Sequence, residues 1–233
     1  MTNRSIPAGK ARGLVLAIET SGRTCSVAVL AGGTRRARES VATDHGHATL
    51  LIPMIERVRL AAGCDFVALD RIAVAVGPGS FTGIRVGLAA ALGLSLASGV
   101  PAVGISSFQV MGAGAFDGPE DAEARRFVLL DSRREEPFLA ELDAALDFVG
   151  TPSLVSVADF DALLVSAGPS VVVGDAPALT RGPAAFPGAV RVVSRSPDAA
   201  MVAVLAADPA RRYDLPPKPI YLRAPDVTLQ KPA

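Results

Sequence analysis

The stretch LVLAIETSGRTCSVAVL, residues 14–30, decides which fold the rest of the sequence must complete. It holds two largely apolar runs, Leu14 to Ile18 and Ser26 to Leu30, separated by the polar turn Ser21-Gly22-Arg23. Short apolar runs bounded by turn residues predict buried strands. A third, polar run from Thr34 to Val41 follows a pair of glycines. We therefore expect a three-stranded meander whose last strand lies at a sheet edge.

The next segments alternate helix and strand. From Ala48 the apolar residues recur every three or four positions, which predicts an amphipathic helix ending near Gly63. Ile72 to Val76 is a further apolar strand, and it leads through a glycine-rich turn into a helical segment, Ile84 to Ser98. Ala102 to Ile105 is again strand-like. This order predicts a mixed sheet covered by helices.

The second half repeats this alternation more loosely. Predicted strands are Phe127 to Leu130, Phe138 to Leu142, Val171 to Val173 and Val190 to Val193, and predicted helices are Ala158 to Ala167 and Pro197 to Ala207. Ser196 is expected to be the N-cap of the last helix, with Pro197 at its first position. The expected organisation is a flexible leader (1–13), an N-terminal subdomain (14–105) and a C-terminal subdomain (106–233) with an extended tail.

Composition narrows the class of protein. Of 233 residues, 50% are hydrophobic, and 23 Lys and Arg balance 23 Asp and Glu, so no net positive field draws the chain onto a nucleic acid. The spacing of Cys25 and Cys64 is neither a CxxC nor a disulfide framework, which indicates reduced thiols in the cytoplasm. The charge-free stretch from Val86 to Phe116 could span a membrane by length. Its Ala, Gly and Ser content and Pro101 favour a buried helix and strand, without a membrane.

Two segments are candidate vestigial phosphate loops, because each lacks a full nucleotide-binding motif. The first ends a buried strand and contains Glu19, Thr20 and Ser21; an ordinary hairpin turn is the alternative. The second, Gly77 to Gly83, lacks the Lys of a phosphate loop. Its candidate ligand residues are Gly77, Gly79, Ser80, Thr82 and Gly83. The alternative is a tight turn in which Ser80 or Thr82 caps the following helix.

The residue types needed for metal or nucleophilic catalysis are scarce. The two histidines, His45 and His47, are two positions apart and would face nearly opposite sides of a helix. No GxSxG motif is present. The sequence therefore predicts no catalytic residues, no metal site and no cofactor.

Small residues repeat every four positions along the second helix. They are Gly83, Gly87, Ala91 and Ser95. Such a row lets another helix approach closely, so it could form a partner interface with the apolar row of the first helix. That row comprises His47, Leu50, Leu51, Met54, Ile55 and Val58. The alternative is that the small residues pack against the protein's own sheet.

Several of these segments together resemble the TsaB family, the dimerisation subunit of the machinery that forms threonylcarbamoyladenosine in tRNA. The resemblance rests on residues 16–21 with 25–28, on His47 leading to Leu51-Ile52-Pro53, and on residues 77–85. Asp131-Ser132-Arg133 and residues 219–223 extend it over nearly the whole chain. Glu19 stands where the family often has Asp.

The resemblance implies an α/β, actin-like and ribonuclease H-like fold of two subdomains, each with a mixed sheet covered by helices. It implies a non-catalytic scaffold that pairs with a TsaD-type transferase through the first two helices of each chain. A TsaE-type ATPase is expected to join this pair. The chain is expected to form a homodimer when alone and to contact tRNA only through the complex. The main rival is an independent small-molecule kinase or ATPase of the same fold, using Glu19, the Gly77 loop and a second carboxylate such as Asp131 or Asp175. A metallopeptidase lacks the ligands.

Overall fold

A computed structural model of the protein describes residues 13–116, 123–176, 189–210 and 212–223. Two five-stranded sheets form the framework of the described chain. The expected tail lies outside the described residues from position 224 onward, and the expected leader lies outside them up to position 12.

The first sheet begins with the predicted meander and has the strand order β3-β2-β1-β4-β5. Strands β1, β2 and β3 are antiparallel neighbours, whereas β4 and β5 run parallel to β1. Parallel pairing requires a crossover, which the two long helices supply. The elements are β1 (Val15–Glu19), β2 (Thr24–Ala31), β3 (Thr34–Ala42), α1 (His47–Ala62), β4 (Arg71–Ala75), α2 (Phe81–Ser98) and β5 (Ala102–Ile105).

The second sheet repeats this plan. Read from its other edge, its order is β8-β7-β6-β9-β10, with β6 antiparallel to β7 and parallel to β9. Each sheet thus has its first strand in the centre, a hairpin on one side and parallel strands on the other. The elements are α3 (Ser107–Gly112), β6 (Arg125–Leu130), β7 (Phe138–Leu142), β8 (Ser153–Leu154), α4 (Val157–Ala167), β9 (Ser170–Gly174), β10 (Ala189–Ser194) and α5 (Ala199–Ala206). This duplicated topology is that of the actin-like, ribonuclease H-like fold.

Helix α5 returns to the first sheet. Its buried residues, including Val202 and Ala203, pack with Ala17 and Ala28 on the sheet face opposite α1 and α2. The assignment of all of 106–233 to the second subdomain is therefore wrong for this helix. Its predicted start is also wrong, because Asp198, rather than Ser196, caps it by accepting from the Ala200 amide.

The small-residue row of α2 lies against the first sheet. A Cβ added to Gly83 would lie 2.0 Å from the carbonyl oxygen of Thr20, and one added to Gly87 would lie 2.4 Å from the Thr20 hydroxyl. Ala91 is fully buried in the same core. The hypothesis that this row docks a second chain is therefore wrong, and the alternative of packing against the protein's own sheet is confirmed. Of the described helices, α2 has the length and composition that would allow a membrane crossing.

Two glycines of α2 provide a matched test of this packing. We expect Gly83→Ala to destabilise the protein by about 2 kcal/mol, because its Cβ would meet backbone that cannot rotate away. Gly93→Ala, where the structure has nothing within 4 Å, should stabilise it by about 0.5–1 kcal/mol through helix propensity. Chemical unfolding of both purified variants measures the difference. Equal stability of the two would contradict the close approach of α2 to the sheet.

Candidate functional site

The turn that follows β1 is buried and satisfied within the chain. Glu19, Thr20 and Ser21 are at most 3% exposed. The Ser21 hydroxyl donates to Glu19 Oε1 at 2.6 Å, and the Thr20 hydroxyl donates to the carbonyl oxygen of Gly83 at 2.8 Å. The polar groups that could contact a phosphate therefore bond to neighbouring protein atoms, which contradicts the interpretation of this turn as a ligand loop.

Two carboxyl groups lie behind this turn: Glu19 is fully buried, and Asp175 is partly buried. Burial raises the pKa of Glu19 to about 7; hydrogen bonds from Ser21 oppose the shift, and the nearby Asp175 adds to it. Burial likewise raises the pKa of Asp175 to about 6, although its Oδ1 accepts a hydrogen bond from the Asp131 amide at 2.8 Å. Glu19 Oε2 has no hydrogen-bond partner among the described residues. Glu19 is thus held partly protonated near neutral pH.

An arginine network closes the cleft between the two subdomains. Arg23, in the β1–β2 turn, donates to Asp131 at 2.9 Å and to Asp44 at 2.6 Å. Arg133, in the loop after β6, donates to the same Asp44 at 3.0 Å and to the Gly22 carbonyl at 3.3 Å. The two hairpin turns that face each other across the cleft are therefore joined directly by side chains.

The Gly77 loop packs its inner side on the same turn. A Cβ added to Gly79 would lie 2.4 Å from the carbonyl oxygen of Ser21, and the Ser80 amide donates to that oxygen at 2.7 Å. Gly77 has a φ of 102°, a conformation that L side chains rarely adopt. Ser80, and not Thr82, is the N-cap of α2, because its hydroxyl accepts from the Gly83 amide at 3.2 Å. The predicted tight turn is confirmed.

The outer side of the Gly77 loop faces a cavity of about 340 Å³. Three chain segments line it: residues 78–82, residues 132–134 with Phe138, and residues 220–223. The last segment, a strap near the C-terminus, is held by a hydrogen bond from the Ile220 amide to the Val76 carbonyl at 2.8 Å. The sequence marked Arg133 and residues 219–223 only within the family resemblance, and it did not suggest that they share a cavity with the Gly77 loop, because they come from distant parts of the chain.

The histidines take different positions. His47 starts α1 and is buried, and this burial lowers its pKa below the usual value. Its Nε2 has no hydrogen-bond partner within the described chain. His45 is exposed in the preceding loop. Among the described residues, no group of three or more His, Cys, Asp and Glu side chains is arranged to hold a metal ion.

Most residues predicted to form a partner interface lie inside the protein. Those of α1 that pack in the core are His47, Leu51, Met54, Ile55 and Val58. Leu50 is partly buried against the same core, and Ser95 donates to the Val100 carbonyl at 2.6 Å. The predicted interface is therefore wrong for the buried positions, because the apolar stripe of α1 packs against the protein's own core.

The outward face of these helices also carries apolar residues. On α2, Leu92 is 45% and Leu96 is 89% exposed, whereas Leu88 is buried with the small residues of the inner row. On α1, Ile52 and Leu60 are more than half exposed. Exposed leucines four residues apart on one helix form a contiguous apolar strip, which is a common mark of an interaction surface. We call these four residues the α1–α2 outer face.

The chain is similar to proteins of one family over much of its length. Residues 40–194 match the family model of TsaD, tRNA N6-adenosine threonylcarbamoyltransferase. The tRNA threonylcarbamoyladenosine biosynthesis protein TsaB of Escherichia coli (strain K12) is 32% identical over 127 residues, which are 54% of this chain and 54% of that protein. An uncharacterized protein of Mycobacterium tuberculosis is 33% identical over 223 residues, 91% of this chain and 92% of its own.

The TsaB-named relatives are matched in part, since the chain spans about half the length of those from Escherichia coli and Haemophilus influenzae. The solved structure of YeaZ from Pseudomonas aeruginosa superimposes with a TM-score of 0.70 at 24% identity, covering 90% of this chain and 99% of that one. This likeness confirms the expected actin-like fold.

The buried Glu19 predicts a pH dependence of stability. The unfolded chain ionises this carboxyl near pH 4.5, whereas the folded chain keeps its proton up to about pH 7. Folding must then retain a proton, so the free energy of unfolding falls as pH rises from 4.5 to 7, with a limiting slope of about 1.4 kcal/mol per pH unit for one proton. Above pH 7 this contribution stays constant. Glu19→Gln, which cannot ionise, should remove this contribution.

Urea unfolding of both proteins from pH 5 to pH 8 measures this effect. The stability of Glu19→Gln relative to the natural protein should increase with pH up to about 7 and then stay constant. The effect of Asp175 has the same sign and is present in both proteins, so it largely cancels in the difference. A difference that does not change with pH would contradict a protonated Glu19.

Proposed function

Because the chain belongs to the TsaB family, within the group that the TsaD model describes, we propose that it is a non-catalytic subunit in the formation of N6-threonylcarbamoyladenosine in tRNA. In this role it pairs with a TsaD-type transferase and supports it. The observation that carries the proposal is the α1–α2 outer face, which offers leucines to solvent on the element expected to meet a partner.

The closed cleft supports a scaffold role over catalysis by this chain. A kinase of this fold would need room for phosphates at the β1–β2 turn and a carboxylate free to act on the acceptor. Here Arg23 in that turn bonds Asp131, while Asp175 is partly buried and accepts a hydrogen bond from the Asp131 amide. Both carboxylates thus have hydrogen-bond partners within the described chain, which supports the scaffold role over the kinase alternative.

The α1–α2 outer face is suited to a helix-to-helix contact. Leu92 and Leu96 lie one turn apart and would insert between the side chains of a facing helix. Glu56 of α1 is exposed near the C-terminal turns of α2 and would form part of a polar rim. In the absence of TsaD, the same face would pair two copies of this chain.

The remaining members of the assembly follow from the family. We propose that a TsaE-type ATPase joins the pair and that tRNA is held through the complex rather than by this chain alone. Equal numbers of basic and acidic residues give this chain no net charge to attract a polyanion. The site of action is the cytoplasm, where tRNA is modified.

Substitution on the outer face tests the pairing. We expect Leu92→Glu to weaken binding to the TsaD of the same organism at least tenfold, because the interface would bury an unpaired carboxylate. Val165→Glu is the matched control, because Val165 is also a helical residue, 66% exposed, but lies on α4. Calorimetry and the mass of the mixed complex measure the effect. Unchanged binding by Leu92→Glu, with a folded protein, would contradict the proposed face.

Activity of the isolated chain tests the non-catalytic role. Incubated with ATP, Mg²⁺, threonine, bicarbonate and tRNA, the purified chain should form no threonylcarbamoyladenosine, whereas adding it to its partners should restore modification. Nucleoside analysis of the recovered tRNA gives the measurement. Turnover by the chain alone that survives repurification and is lost in Asp131→Asn would favour the kinase alternative.

A further inference from the structure

The described residues near the C-terminus form an arm that is anchored first on the first sheet. We call residues 214–223 the C-terminal arm. Leu215 and Gly104 exchange two backbone hydrogen bonds, of 2.8 and 2.9 Å, at the outer edge of β5. Asp214 accepts from Arg71 at 3.1 Å, and both side chains are less than one-fifth exposed. The beginning of the arm is therefore held by the first subdomain through backbone and side-chain contacts.

The middle of the arm is stiff and lies directly on the backbone of the first sheet. A Cβ added to Gly104 would lie 2.8 Å from the carbonyl oxygen of Pro216, and one added to Gly77 would lie 2.8 Å from that of Ile220. Three of the four residues 216–219 are prolines, whose rings fix the backbone φ angle. A stiff segment with contacts at both ends transmits the position of one end to the other.

The last residues of the arm pass from the first subdomain to the second. The Tyr221 hydroxyl accepts from Arg85 of α2 at 3.0 Å. Leu222 is partly buried and packs against the core that α3, β6, β7 and β9 form under the second sheet. Arg223 donates to Glu136, in the loop before β7, at 3.2 Å. Three consecutive residues thus connect α2 with the second subdomain.

Protection of a sheet edge explains only the first part of this arrangement. An edge strand such as β5 has backbone groups that another chain could pair with, and Leu215 covers part of that edge. Leu222 and Arg223 add nothing to this protection, because their contacts lie in the second subdomain. The end of the arm therefore has a role of its own.

The two subdomains are also joined at the β1–β2 turn, by contacts of a different physical kind. There Arg23 and Arg133 share Asp44, and Arg23 also pairs with Asp131. The side chains of Arg23 and Asp44 are about half exposed, so dissolved salt screens their attraction. The contact of Leu222 is apolar and is not weakened in this way.

We propose that the C-terminal arm is a latch that holds the two subdomains at one fixed angle, with Leu222 as the residue that attaches it to the second subdomain. Opening the cleft by a hinge motion would pull Leu222 out of the second core, whereas the anchors at Asp214 and Leu215 would stay in place. The latch does not rest on the proposed pairing with TsaD, because its contacts lie outside the α1–α2 outer face.

Distances between spin labels on the two subdomains test the latch in the full chain. One label is attached through Arg36→Cys, at an exposed position of β3, and the other through Val165→Cys, at an exposed position of α4. Cys64→Ser removes the partly exposed thiol, and Cys25 is fully buried and out of reach of the reagent. Double electron–electron resonance should give one narrow distance distribution for the protein with its natural arm.

Two substitutions of Leu222 should broaden this distribution. We expect Leu222→Ala to increase its width about twofold, and Leu222→Asp to increase it further because a carboxylate does not stay in an apolar core. Lys218→Ala is the matched control, because Lys218 is an exposed residue of the same arm, and it should leave the width unchanged.

Salt separates the two connections between the subdomains. In about 1 M sodium chloride the screening length falls to about 3 Å, which weakens the arginine pairs at the β1–β2 turn. The protein with its natural arm should keep its narrow distribution under these conditions, whereas both Leu222 variants should broaden further.

Three results would overturn the proposal. The first is a narrow distribution in both Leu222 variants at high salt, and the second is equal broadening by Lys218→Ala. The third is loss of secondary structure in both Leu222 variants, measured by circular dichroism, because Leu222 would then be needed for the fold itself. Binding of TsaD by Leu92→Glu is measured separately, so the failure of one proposal is distinguishable from the failure of the other.

Discussion

The contact between the start of α2 and the β1–β2 turn is the constraint on which the rest of the structure depends. Gly79 and Gly83 bring the backbone of the Gly77 loop and α2 onto Ser21 and Thr20, at distances that no Cβ would tolerate. The Thr20 hydroxyl then bonds the Gly83 carbonyl. This contact fixes α2 on the sheet, and the fixed helix determines which of its faces is inside.

One consequence of that contact is an unusual distribution of side chains. A surface helix normally buries its large apolar residues and exposes its small or polar ones. In α2 the small residues lie inside, together with Ile84 and Leu88, because the sheet is so close, whereas Leu92 and Leu96 are outside. The same constraint thus explains the apolar composition of the helix and its likeness to a membrane span, and it leaves exposed the leucines on which the proposed pairing rests.

A second consequence concerns the cleft. With the turn and the Gly77 loop packed together, Glu19 is sealed from water and holds its proton, and Arg23 reaches across to Asp131 instead of a ligand. The fold that in an ATPase would open to admit phosphates is here closed by its own side chains. The outer side of the loop faces a cavity, so one short segment separates a buried core from an open surface.

The sequence by itself determined the strands, the long helices and the family, because apolar runs and three-four spacing depend on local burial, which short segments record. It also identified the β1–β2 turn and the Gly77 loop as candidate ligand loops, but it did not show that the two would pack against each other. Only the tertiary structure decided that Gly83, Gly87 and Leu51 face inward and that α5 packs on the first sheet. It also decided that Arg133, Arg134 and Arg223 line one cavity. Amphipathic spacing tells that a helix has two faces, but which neighbour covers each face depends on contacts between residues far apart in the chain, and no local pattern records those.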